Sequence, residues 1–164
     1  MTLPLNLHRD PLNDRLIAVL DRLEAYDFSR VNDMCAAKFG WSAEKCRWAE
    51  MKLKQFLALM FLDPDSYHAP GVEADEYWHR AILDTRWYIG MCEDLFGTYI
   101  HHAPLATLGA EQEDYRARTL RALTHWFADD DYRADYRLIE TCQQCKGPTP
   151  ATDGIVAHLS TRLN

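Results

Sequence analysis

The chain has 164 residues, 48% of them hydrophobic and 12% aromatic, and a formal net charge of -7. That length fits a single domain, and that apolar share offsets the entropy of ordering a chain, which excludes a disordered polypeptide. The acidic balance works against phosphate backbones, whose recognition needs clustered Lys and Arg, so nucleic acid is not an expected partner.

From Pro11 to Tyr26, apolar residues at Leu12, Leu16, Val19, Leu20 and Leu23 recur at three- and four-residue steps, the period of a helix with one buried face. A second helix is expected from Ser29 to Phe39, closed by Gly40, which adopts the left-handed conformation cheaply. Ser42 is a good N-cap for a third, whose stripe of Cys46, Ala49, Leu53, Phe56, Leu57 and Met60 runs to Leu62 and makes it the central helix. Asp63-Pro64-Asp65 stops it, and Ser66 to Gly71 reads as a loop.

Between Val72 and Phe96 the positions Trp78, Ala81, Ile82, Thr85, Tyr88, Ile89, Cys92, Leu95 and Phe96 form one stripe, so a single continuous helix ending at Gly97 is expected. Thr98 to Gly109 reads as a connection, and Leu120, Leu123, Trp126 and Phe127 mark a helix from about Glu111 to Ala128, followed by a charged helical stretch to Glu140. Gly147, Pro148, Pro150 and Gly154 interrupt regular structure in the last residues. The expectation is an all-α fold, a single-domain bundle of about five to six helices over 1–146 with a loosely ordered C-terminal tail over 147–164.

No apolar run approaches the ~20 residues that cross a bilayer, and Met1 to His8 lack the basic-then-apolar order of a secretory signal; a cytoplasmic protein without a membrane partner is expected. Cys35, Cys46, Cys92, Cys142 and Cys145 make an odd count in a chain too large to need staples, which points to reduced thiols. Cys142 and Cys145 form half of a zinc or redox site, with His158 as the nearest extra ligand and no second C-x-x-C to complete it.

Chemistry concentrates between Asp75 and His102. A four-residue step puts Asp75 and His79 on one helix face, where a carboxylate fixes an imidazole's tautomer or ligates a metal beside it. The helix dipole alone also accounts for acidic residues in a first turn. Asp84, in mid-helix beside Thr85, needs a partner such as Arg80, Arg86, Tyr88 or a histidine from the next loop, and is the candidate catalytic or orienting acid. His101 and His102 supply the second imidazole cluster. If the helix is straight to Phe96 its end lies about 24 Å from His79, and His102 returns only with extended side chains or an early helix end. Glu44, Glu50, His125 or a second subunit are the other sources of ligands.

The run Asp75-Glu76-Tyr77-Trp78-His79, Ile82-Leu83-Asp84-Thr85, Tyr88, Cys92, Phe96-Gly97 and His101-His102-Ala103-Pro104 resembles the glycine-rich domain-containing protein-like family over about Lys54 to Pro104. The resemblance implies a helical domain of the bacterial single-domain type, without the glycine-rich tail, and singles out Asp75, Trp78, His79, Asp84, Thr85, His101 and His102. The family motif commonly carries a second histidine two residues after the first, where this chain has Ala81.

Two functions are compatible with these residues. In one, His79, His101, His102 and Asp75 form a site for iron, copper or zinc, used for binding or for oxidative or hydrolytic chemistry on an unspecified substrate, with Asp84 as its acid. In the other, the same groups are a polar network within an interaction module for a protein partner or a homodimer, and any exposed members among Trp41, Trp48, Trp78, Trp87 and Trp126 mark its surface.

Overall fold

The computed structural model describes residues 3–8, 14–63, 65–102 and 110–128, with side chains of the last stretch from Tyr115 onward. Asp14–Ala25 forms α1, Ser29–Phe39 α2, Ala43–Leu62 α3, Val72–Leu83 α4, Thr85–Phe96 α5 and Ala110–Trp126 α6, after a 3-10 turn at Pro4–Asn6. Extended pairing among the described residues is limited to one antiparallel bridge between Leu7 and Phe127, so the architecture is all-α as expected. The stretch to Glu140, the tail over 147–164 and the Cys142/Cys145 pair lie outside the described residues.

α3 is the central helix. Its residues from Lys52 to Phe61 are buried on every face, and it packs against α4, α2, α1 and α6. A helix covered all round must satisfy any charge it carries. Lys54 does so by donating to the carbonyls of Glu24 and Tyr26 at 2.8 and 2.9 Å while pairing with Glu50 at 2.7 Å. The 3-10 turn docks on the same helix, where the Gln55 amide donates to the Leu5 carbonyl at 2.9 Å.

The helix ends follow local chemistry. Gly40 closes α2 with φ 64°, and its N–H reaches the Ala36 carbonyl. Ser42 Oγ accepts from the Lys45 N–H at 3.1 Å, and Gly97 closes α5 with φ 65°.

The expected continuous helix from Val72 to Phe96 is corrected: it is two helices, broken at Asp84. There the backbone takes φ -83° and ψ 71°, and the Asp84 side chain caps α5 by accepting from the Trp87 N–H at 3.4 Å. Aspartate competes with the helical ladder for backbone donors and is favoured at an N-cap, which is why α4 ends here. The apolar stripe hides the break. Trp78 and Ala81 of α4 and Tyr88 and Cys92 of α5 are all buried, so hydrophobic spacing is preserved across a change of direction.

Trp78 is buried, while Trp41, Trp48, Trp87 and Trp126 are partly buried and pack against the core. None stands free as an exposed aromatic anchor, and the Lys45 ammonium lies over the Trp48 ring at 4.1 Å.

Candidate metal centre

Asp75 sits in the first turn of α4 and His79 one turn later, on the face that the four-residue step predicts. His102 arrives from the other side, six residues after α5 ends. Two buried side chains carry it there. The Tyr88 hydroxyl donates to the Ile100 carbonyl at 2.7 Å, and the Trp78 indole N–H donates to the Tyr88 oxygen at 2.9 Å. The segment bearing His102 is therefore tied back to α4 through α5. The break at Asp84 takes α5 out of line with α4, so the separation calculated for one straight helix no longer applies.

His102 Nε2 lies 2.7 Å from Asp75 Oδ1, and His79 Nδ1 lies 3.7 Å from Asp75 Oδ2. The two imidazole rings are 4.5 Å apart, and the ring of Trp78 meets His102 edge-on at 4.6 Å. One ligand atom from each of Asp75, His79 and His102 falls within 4.8 Å of the other two, close enough to hold a metal ion. Donors bound at about 2.0–2.2 Å in a tetrahedral set stand roughly 3.4 Å from each other, a spacing between the two observed contacts.

The His79 imidazole is held below its ordinary range first by burial and then by the neighbouring His102, while Asp75 pulls the other way. A depressed pKa leaves the ring neutral near pH 7, the form that ligates metals. All three residues are only partly buried, so the set is not sealed from solvent.

The other candidates lie elsewhere. His101 is exposed, with its ring against Tyr99 at 4.6 Å, and does not join the set. Asp84 pairs with Arg30 of α2 at 2.7 Å, an element absent from the partners its spacing suggested, and serves α5 as its cap. Glu50 is engaged by Lys54 and Asn32, and the His125 ring rests on Trp126. Cys35, Cys46 and Cys92 are buried free thiols, with Cys35 pushed up to about 12 by burial, which suits small core residues.

One histidine escaped the sequence reading. The His68 side chain is 2% exposed, with Nε2 3.0 Å from Asp63 Oδ2 and Nδ1 3.3 Å from the Thr119 hydroxyl, so it clamps the loop before α4 onto α6. The Thr119 hydroxyl also accepts from the Ala69 N–H at 3.0 Å. Asp63 and His68 are neighbours in sequence, but Thr119 is not, and no local pattern announces the contact.

A family model described as UCP032817-like matches residues 19–137, a span that contains α2 to α6 and the whole Asp75, His79, His102 set. The chain belongs to the UCP032817-like family. That description names no activity, and it does not connect these proteins with the glycine-rich domain-containing family that the Asp75 to Pro104 run resembles. No curated protein and no solved structure matches the chain. No helix among its described residues is long and apolar enough to cross a membrane.

Proposed function

We propose that this protein binds a transition metal ion through His79, His102 and Asp75. The observation that carries the reading is the convergence of two imidazoles and one carboxylate within 4.8 Å from two separate parts of the chain. Two nitrogens and one oxygen on one side of an ion suit iron(II) or zinc, with copper as the further candidate, and leave positions for water or substrate. Bound there, the metal would supply Lewis-acid or oxygen chemistry, which makes a hydrolytic or oxidative enzyme the activity this donor set favours. His101 and Asp84 stay outside the ligand set.

Cobalt(II) titration tests the reading, because visible absorption reports coordination directly. One equivalent should bind, and His79→Ala, His102→Ala or Asp75→Asn should each weaken binding by more than about 100-fold, beyond the loss typical of an outer-sphere partner. A spectrum unchanged from aqueous cobalt would reject it.

A second reading is favoured by the 2.7 Å contact between His102 and Asp75, which already pairs the two groups without an ion. In it, the set is a packing network within an accessory module that binds a protein partner or a second copy of the chain. Under that reading His79→Ala and Asp75→Ala lower stability by about 1 kcal/mol or more, while a chelator leaves the parent's melting curve in place.

A further inference from the structure

α5 buries one face against α4 and α1 through Tyr88, Met91, Cys92, Leu95 and Phe96. Its opposite face carries Arg86, Ile89, Gly90 and Glu93, whose three- and four-residue steps align them in one stripe. Ile89 is 43% exposed, Leu83 at the N-terminal end of the helix is 60% exposed, and open space stands over Gly90.

The two charges of this stripe are exposed, and neither makes an ion pair or a side-chain hydrogen bond with a described residue. Their own helix offers no remedy. Within α5 the positions three and four residues from Arg86 are Ile89 and Gly90, and those from Glu93 are Ile89, Gly90, Phe96 and Gly97, so no opposite charge is in reach along the helix. Each also sits at the wrong end for the helix dipole: Arg86 is in the first turn, where anions are favoured, and Glu93 is in the last, where cations are favoured.

Seven residues separate the two, which sets them about 10 Å apart in one line with Ile89 and Gly90 at the midpoint. A stripe that reverses sign about its midpoint is its own complement when turned end for end, the condition for a twofold contact between identical chains. We propose that α5 is a self-association surface: two copies pair antiparallel about an axis between Ile89 and Gly90, with each Arg86 meeting the partner's Glu93 and each Ile89 lying over the partner's Gly90. The pairing sets each misplaced charge beside the favourable end of the other helix. The stripe is short, so the dimer is weak and reversible rather than obligate. It uses none of Asp75, His79 and His102, and it stands apart from the metal reading.

Sedimentation equilibrium of the full chain from about 1 μM to about 1 mM tests the surface, a range that spans weak association. The parent should pass reversibly from monomer to dimer. Arg86→Glu and Glu93→Arg each place two like-charge pairs across the axis and should each weaken self-association by at least about tenfold, with dilute melting curves confirming that both variants fold. An equimolar mixture of the two single variants restores both opposite-charge pairs, so it should dimerise within about threefold of the parent, as should the double variant. A parent that stays monomeric throughout, as it would if another segment or a different protein covered this face, would overturn the proposal. Single variants that associate like the parent, or a mixture that fails to recover, would overturn it too.

Discussion

His102 Nε2 and Asp75 Oδ1 stand 2.7 Å apart although 27 positions separate them. The contact exists because a buried hydroxyl holds the His102 segment in place, so its disruption need not touch either residue.

Tyr88→Phe removes the donor to Ile100 and the acceptor for Trp78, both in the buried interior. Leaving those two groups unpaired should cost about 2–4 kcal/mol, measured by urea unfolding. Metal affinity should fall by about tenfold as His102 loses its anchor, with helical circular dichroism retained. Loss of stability with unchanged affinity would separate the tyrosine from the site.

Asp84 tests the division between scaffold and site. Its ion pair joins a largely exposed Arg30 and is worth little, so Asp84→Ala should cost about 1–2 kcal/mol, mostly through the α5 cap. Asp84→Asn should recover most of that loss, and neither variant should change metal binding. A metal-binding defect in Asp84→Asn would restore this residue to the site.

Stability should fall on mild acidification. Burial lowers the His68 pKa from its unfolded reference of 6.5, and the His79 pKa moves the same way. Between the folded value and 6.5 the unfolded chain binds more protons than the folded one, so stability rises with pH and is complete above about pH 6.5. Urea unfolding at about pH 7.5 and about pH 5.5 should show the decrease, and His68→Gln should reduce it. A flat profile in that window would contradict the burial argument.

Two glycines should respond in opposite senses. A Cβ at either Gly40 or Gly90 meets nothing within 4 Å, but Gly40 has φ +64° and Gly90 lies within α5. Gly90→Ala should stabilise by about 0.5–1 kcal/mol through helix propensity. Gly40→Ala should destabilise by about 1–2 kcal/mol through left-handed strain. Thermal melts distinguish the signs.

The helix boundaries at Gly40, Ser42, Leu62 and Gly97 were legible because each depends on a residue's own steric or hydrogen-bonding habits. The break at Asp84 was not, since Ala81 and Ile82 run into Tyr88 and Cys92 with helical spacing on both sides. Only the poor helix propensity of Asp84-Thr85 hinted at it. For the site, Asp75 and His79 followed from a four-residue step, whereas the choice of His102 over its neighbour His101 depends on the Tyr88 to Ile100 contact, a tertiary fact. The Arg30 to Asp84 pair and the His68 to Thr119 contact likewise join distant segments, where sequence spacing carries no signal.

Metal content of the untagged protein, determined by mass spectrometry of elements on the parent and His79→Ala side by side, tests the central claim most directly. Near-stoichiometric iron, zinc or copper in the parent and its loss in the variant is the predicted result. A folded parent that carries no metal, and takes up none when iron(II) or zinc is supplied, would contradict it.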